Sequence, residues 1–355
     1  MKINELIANN INRLDVVLSD DQSLAIAGLS GSGKTTFCQT IGEESKKRLV
    51  SLLPKAEYQY LFPNIMETNF SAIKMEDMPL VLFLGKSSIS SNPRSTIGTH
   101  TGVFKEIRNR LADEFHLSPE MFSFNNALGW CPACKGRGTT KNVECKKCLG
   151  KRYSPEVEQY KITLWNELYS ISDIHHLSIE AIYSLSKELN ISEEKQHILH
   201  NIMQMNIGYL TLNRIMGTLS GGELTRLYLA EFMATSENTV IIVDEISVGL
   251  DHNTLLKILE QIQQLGAKNQ IWLIDHSDTV LDTADEQLFF GPGSGKYGGK
   301  IVEESPRPKP IYWERKRLAP TSYYQFRDLH CRNIQMDAID IPQNRLVTFT
   351  GESGC

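Results

Sequence analysis

No hydrophobic run in the chain reaches the eighteen or more residues that a membrane span needs; the apolar stretches are of the size of MPLVLFLG (78–85) and TVIIVDE (239–245). The opening MKINELIANN carries charges and amides where an export signal needs an apolar segment, so no membrane partner and a cytoplasmic location are expected. Residues 1–23 hold no aromatic side chain. Neither charge sign dominates: 37 Lys and Arg stand against 42 Asp and Glu, and a net −5 favours no polyanionic partner by itself. In a chain that is not exported, seven cysteines argue for thiols or metal ligands rather than disulfides.

What is present is a chain of 355 residues, 41% hydrophobic, long enough to bury a full core in two or three units. Residues 24–42 read as a short apolar strand from Leu24 to Ala27, a glycine loop and a helix. Residues 219–305 read as helix, strand, helix, strand, with GPGSGKYGG (291–299) as a loop near the end. Such alternation predicts an α/β fold with a parallel sheet covered by helices. The middle of the chain, about 86–218, holds the clustered cysteines and then mostly helical patterning, and PRPKP (306–310) reads as a linker.

The first block contains Gly28-Leu-Ser30-Gly31-Ser32-Gly33-Lys34-Thr35, a complete G-x-x-x-x-G-K-[ST] phosphate loop, with Thr36 next in the helix. Its glycines let backbone N–H groups curl round a β-phosphate, Lys34 reaches the β and γ oxygens, and the Thr35 hydroxyl can ligate Mg²⁺. In the second block Leu219-Ser220-Gly221-Gly222-Glu223 opens a helix whose Leu224, Leu227, Tyr228 and Phe232 share a face. The N–H groups at Ser220 to Gly222 are expected to form another anion site. The strand Val240–Val243 ends in Asp244 and Glu245, which suits a Mg²⁺-positioning Asp followed by a Glu that polarises the attacking water. A later strand, Ile271 to Ile274, exits through Asp275 to His276, a candidate γ-phosphate contact that taken alone reads equally as a structural histidine.

Between these blocks, Cys131-x-x-Cys134 and Cys145-x-x-Cys148 have the spacing of a tetrahedral Zn²⁺ site; two disulfides or four free thiols are the alternatives. Lys135, Arg137, Lys141, Lys146, Lys147, Lys151 and Arg152 surround them, opposed within the segment only by Glu144. The functional reading of that excess is a grip on nucleic-acid phosphates, and the bland one is a solvated face.

Phosphate loop, LSGGE, strand-Asp-Glu and strand-His, in this order, resemble the ATP-binding-cassette (ABC) ATPases over about 1–85 and 219–305. Phe122-Ser-Phe-Asn-Asn-Ala-Leu-Gly-Trp-Cys-Pro-Ala-Cys-Lys-Gly-Arg-Gly138 and the second cysteine pair through Tyr153 are similar to the UvrA family of bacterial nucleotide-excision repair. So are Ser91–Gly98, Ile207–Leu212, Thr218–Glu223, Thr283–Asp285 and the Gly291-Pro292 and Gly298-Gly299 pairs. The resemblance implies a P-loop NTPase core formed by 1–85 and 219–305. An inserted, mostly helical signature domain with a four-cysteine zinc module would occupy 86–218, and 306–355 would be a linker and the start of a second cassette, cut before its Gly-Lys. It implies ATP, Mg²⁺ and Zn²⁺ as cofactors and DNA as partner. A homodimer or second cassette is implied as well, with Ser220, Gly221 and Gly222 acting on the other cassette's nucleotide and Asp251 at the contact between them.

Fewer than thirty residues separate Ser95 from Phe122, where full-length members place a UvrB-docking domain and a further DNA-binding insertion, so recruitment of UvrB is not expected. Gly85 stands at the position where these ATPases carry a Mg²⁺-sensing glutamine. Adenine recognition must come from somewhere other than an aromatic residue upstream of the loop. A soluble cassette ATPase acting on a ribosome, RNA or protein assembly is the alternative to a DNA-binding one.

Overall fold

The computed structural model describes residues 1–20, 22–51, 70–76, 79–85, 92, 94–141, 143–235, 238–304, 319–331, 334–344 and 347–348. Strand β1 (Lys2–Ala8) pairs antiparallel with β2 (Ile11–Val17) on one side and β4 (Ala72–Glu76) on the other, a small sheet that the sequence reading did not anticipate. Among the described residues the main sheet has six strands. In spatial order they are β13 (Lys300–Val302), β12 (Glu286–Gly291), β3 (Leu24–Gly28), β11 (Gln270–Ile274), β10 (Thr239–Asp244) and β5 (Leu80–Leu84). All its pairings are parallel except β13 against β12. Every residue of β3 is buried, as are the first five of β10. Continuous apolar runs of this kind can exist only where helices or a second sheet cover both faces.

Register decides where the chemistry lies. Val240 to Asp244 pair in order with Gln270 to Ile274, and Trp272 to Ile274 pair with Leu24 to Ile26. The carboxyl ends of β3, β10 and β11 therefore emerge together, the edge at which open parallel sheets bind ligands.

One face of the sheet is covered by α1 (Lys34–Ser51) and the small antiparallel sheet, with Ile3, Leu6, Ile11, Phe37, Ile41, Trp272 and Phe290 in a common core. The other face is covered by α7 (Gly221–Thr235) and α8 (His252–Gly266). Its core runs without a break from Ile241, Val243, Leu227 and Leu259 into Phe104, Ile107, Ile174 and Ile202 of the middle segment.

The middle segment contains α2 (Ile97–His100), α3 (Val103–Phe115), α4 (Ile171–His175), α5 (Ile179–Ser184) and α6 (Glu193–Gln204). It also contains two hairpins missing from the mostly helical expectation, β6–β7 (Thr139–Thr140, Val143–Glu144) and β8–β9 (Lys161–Leu164, Glu167–Ser170). In α3, Val103, Phe104, Ile107, Leu111 and Ala112 form one buried face. Phe104 lies flat on the His175 ring at 3.5 Å and edge-on to Phe124. The Tyr153 hydroxyl stands 3.2 Å both from Phe122 O, to which it donates, and from His175 Nδ1. Burial holds the His175 imidazole neutral, its pKa well below the usual value. His100 reaches Glu231 on α7 at 3.0 Å, and Asn201 Nδ2 donates to Ala230 O.

A hairpin, β14–β15 (Tyr323–Cys331, Ile334–Pro342), follows. The expected linker PRPKP and the glycines expected to begin a second phosphate loop, Gly351 and Gly354, lie outside the described residues. Among the described residues no helix is long and apolar enough to cross a membrane.

Phe104 is fully buried at the centre of this aromatic group. Phe104→Ala is expected to lower stability by about 3–5 kcal/mol, measured by thermal or denaturant unfolding of the purified chain.

Candidate nucleotide and metal sites

Gly28, Gly31 and Gly33 all have positive φ. At Gly28 a Cβ would lie 2.3 Å from Phe290 O, so only glycine lets the loop leave β3 beside β12. Lys34 is nearly buried, and its Nζ donates to Gly28 O and Leu29 O, each at 2.9 Å, which folds the ammonium back over the loop. Ser32 Oγ is buried without a hydrogen-bond partner. An orphaned hydroxyl among inward-turned glycines is what a phosphate oxygen would satisfy. Ser30, Gly31 and Thr35 are exposed, and Thr36 is half-buried with its carbonyl accepting from Thr40 Oγ1.

The stretch 291–299 holds this loop from outside. Ser294 Oγ donates to Ser30 O at 2.5 Å, Gly295 N to Gly31 O at 2.9 Å and Gly299 N to Ser32 O at 2.7 Å. Asn10, at the β1–β2 turn, donates through Nδ2 to both Gly31 O and Gly295 O. Sequence pattern marked 291–299 only as a loop; its partner was invisible because the contacts span more than 250 residues.

Across the sheet edge Thr35 Oγ1 lies 3.2 Å from Asp244 Oδ2. A hydroxyl and a carboxylate beside exposed backbone suit Mg²⁺, which takes few protein oxygens and completes its shell with water and phosphate. Glu245 follows in the left-handed region at φ 56°, half-buried, its N–H donating to Ile274 O at 2.8 Å. His276 is exposed at the exit of β11.

Asp275, to which the sequence pattern assigns no role, joins these two turns. Its buried carboxylate accepts from Ser247 N and Oγ at 3.0 and 2.6 Å and from His276 N and Ser277 N at 2.7 and 2.8 Å. The available signal was an acid ending an otherwise apolar strand, a placement that costs free energy unless the group is fully bonded.

The LSGGE turn departs from expectation. Ser220 N is not free: it donates to Glu223 Oε2 at 2.7 Å while Glu223 N donates to Ser220 Oγ at 3.2 Å. This reciprocal cap occupies the N–H groups of Ser220 and Glu223 and not those of Gly221 and Gly222. Ser220, Gly221, Gly222 and Thr225 line a cavity of about 150 Å³ with Asp244, Glu245, Val248 and Gly249, and residues 28–36 do not line it. Asp251 caps α8 by accepting from Thr254 N at 3.0 Å; the Thr254 side chain, and then its backbone N–H, hold the Asp251 pKa below the usual carboxylate range, and Oδ2 is buried without a partner. At Gly85 a Cβ would stand 2.4 Å from Phe83 Cζ and 3.3 Å from Asp244 Cβ, so a longer side chain there requires Phe83 to move. Two larger cavities open at the opposite end of the strands, beside Ser23 and Asn269.

Cys131, Cys134, Cys145 and Cys148 are all buried, and their four Sγ atoms lie within 4.8 Å of one another. Cys131 and Cys145 are 4.0 Å apart and Cys134 and Cys148 3.7 Å, too long for disulfides. Zn–S bonds of about 2.3 Å in a tetrahedron give an edge of about 3.8 Å, so the cluster fits Zn²⁺. N–H donation from Cys148 and Lys147 draws the Cys145 thiol down to about 7, while burial pushes Cys134 up.

Each backbone feature of the first cysteine pair recurs at the second. Lys135 N bonds Cys131 O as Leu149 N bonds Cys145 O, and Arg137 N bonds Cys134 O as Lys151 N bonds Cys148 O. The two halves close on each other through Cys131 N to Arg152 O and Cys145 N to Gly138 O. Left-handed residues at Lys135 and Gly136 answer Leu149 and Gly150.

The basic cluster is smaller than its sequence suggests. Lys151 pairs with Glu158 at 3.3 Å and Asp173 at 3.5 Å, acids from outside the cysteine segment. Arg152 is buried, its guanidinium 4.9 Å from the Phe124 ring centre. Lys135, Arg137, Lys141, Lys146 and Lys147 remain exposed.

A mostly parallel sheet, a phosphate loop facing a strand-end Asp-Glu pair, and an LSGGE helix define an ABC-type nucleotide-binding fold of the P-loop class. No family model matches the chain. It is 31% identical over 325 residues to UvrABC system protein A of Helicobacter pylori strain 26695, a match covering 85% of this chain and 32% of that protein. To the Thermus thermophilus protein of the same name it is 30% identical over 315 residues, covering 84% and 31%. Its fold is similar to a crystal structure of UvrA2 from Deinococcus radiodurans, with TM-score 0.66 and 23% identity over 85% of this chain and 37% of that one. The chain belongs to the UvrA family and spans about a third of the length of the curated relatives it matches.

If the cysteines hold zinc, the purified chain carries about one Zn²⁺ per molecule, and a strong chelator abolishes amide-exchange protection in 129–153 while leaving that of β3 and β10. Small modules derive on the order of 10–16 kcal/mol from such an ion. A metal-free chain equally protected in 129–153 refutes the assignment.

Proposed function

We propose that the chain is a UvrA-like ABC ATPase that binds duplex DNA and uses ATP to change its hold, as in damage sensing during excision repair or protection against a DNA-binding drug. The observation that carries the proposal is the 3.2 Å approach of the Thr35 hydroxyl to the Asp244 carboxylate at the mouth of the phosphate loop. In this reading the backbone from Gly28 to Gly33 and the hydroxyls of Ser30, Ser32 and Thr36 surround the phosphates. Lys34 turns from its carbonyl partners to the β and γ oxygens, and Thr35 with Asp244 would hold Mg²⁺, which when bound would neutralise the developing phosphate charge. Glu245 accepts a proton from the attacking water, and His276, fixed through Asp275, meets the γ-phosphate.

Completion of the site requires a second cassette, either a second copy of this chain or another cassette in a longer polypeptide. Ser220, Gly221 and Gly222 then face the partner's nucleotide after Glu223 releases the Ser220 N–H, and Asp251 lies near the contact. The cytoplasm is the proposed location, with no membrane partner and no role for UvrB.

DNA binding is assigned to the face of the cysteine module bearing Lys135, Arg137, Lys141, Lys146 and Lys147. Four thiolates on one Zn²⁺ contribute −2, so zinc does not make the module cationic; these side chains do.

Glu245→Gln is expected to retain ATP affinity and to lower turnover by about 10²–10⁴-fold in the dimer, measured by phosphate release; unchanged turnover contradicts the role. Reversing Lys135, Lys141, Lys146 and Lys147 to Glu is expected to flatten the slope of log K against log salt for duplex binding by roughly 0.9 per lost phosphate contact. An unaltered slope, or a preference for structured RNA over duplex DNA, overturns the DNA assignment.

A further inference from the structure

We propose that Tyr297 is the base-stacking platform of the nucleotide site, taking the purine of a nucleoside triphosphate whose phosphates lie in the 28–35 loop. This rests on the nucleotide reading above and supplies the base contact that residues 1–23, without an aromatic side chain, do not.

Tyr297 sits in the stretch that is bonded to the phosphate loop through Ser294, Gly295 and Gly299. Close approach is enforced by glycine: a Cβ on Gly298 would stand 2.8 Å from Ser32 O, and one on Gly299 would stand 2.1 Å from Asn10 O. The platform and the phosphate cradle are thus parts of one rigid surface.

Within that stretch both backbone groups of Tyr297 are already used. Its N–H donates to Ser294 O and its carbonyl accepts from Gly293 N, each at 3.2 Å. The side chain alone remains, and the residue is 69% exposed, with Lys296 Nζ 5.0 Å from the ring centre. Phe37, in the helix after the loop, and Phe290, whose backbone abuts Gly28, are fully buried against each other and cannot receive a base. A large ring held outside the core on a doubly anchored loop contributes little to folding. It offers a flat apolar face beside a triphosphate cradle, where a purine emerges one ribose beyond the α-phosphate. Stacking reads the π-face and not the edge, so adenine and guanine are both accepted.

The test is calorimetric titration of the full chain with Mg·ATP, Mg·GTP and magnesium tripolyphosphate, using the native protein, Tyr297→Ala and Tyr297→Phe. Tyr297→Ala is expected to weaken both nucleotides by about tenfold, Tyr297→Phe to bind as the native chain does, and tripolyphosphate to bind all three alike. Undiminished ATP affinity in Tyr297→Ala, or equal weakening of tripolyphosphate, overturns the stacking role and leaves the phosphate loop intact. A native chain that binds neither ATP nor tripolyphosphate overturns the nucleotide reading and the platform with it.

Discussion

Thr35 and Asp244 are 209 residues apart in sequence and 3.2 Å apart in space because β3 and β10 run parallel on either side of β11. Everything else at the nucleotide site depends on that register. A slip of one residue between β10 and β11 would turn Asp244 to the opposite face of the sheet, parting it from Thr35, and would separate Glu245 N from Ile274 O. The same register sets Asp275 where it can tie Ser247 to His276. Val240 to Val243 and Ile271 to Ile274 are buried whichever face they turn to, so the polar bonds at the strand ends, Glu245 N to Ile274 O and those of Asp275, are what distinguish this register.

The cysteine module is attached to this machinery by packing. Arg152 lies over Phe124, Phe124 meets Phe104 and His175, and Phe104 and Phe124 belong to the core that contains Leu227 and Ala230 of α7. That helix begins at Gly221, within the LSGGE turn. The four cysteines form a separate buried cluster, joined through Phe124 to the core that holds the signature helix, beside a His175 that burial keeps neutral.

Elements with a short-range signature were legible. The phosphate loop, the apolar strands ending at Asp244 and Ile274, and the paired cysteines each owe their form to neighbours in sequence: glycines at positive φ, continuous burial, and thiols two residues apart. What the sequence hid is long-range. The antiparallel sheet of β1, β2 and β4 includes a short strand, Ala72–Glu76, with charges at Lys74 and Glu76, whose place is set by β1. The bonds from 294–299 to the phosphate loop, the acids that neutralise Lys151 and the role of Asp275 all come from partners far along the chain. Charge counted along a segment overstated the cationic face because Glu158 and Asp173 fold back onto it. Of the N–H groups expected to be free from Ser220 to Gly222, that of Ser220 is occupied, since Glu223 is both part of the motif and its internal cap.

The central claim is that strand register alone brings a hydroxyl and a carboxylate together as a metal-assisted phosphate site. Equilibrium binding of ATP measured across a Mg²⁺ series tests it most directly, on the native chain and on Thr35→Ala and Asp244→Asn. The claim requires that affinity rise with Mg²⁺ in the native chain and that both substitutions flatten that rise while leaving Mg²⁺-free affinity in place. A rise of the same steepness in all three proteins would contradict it.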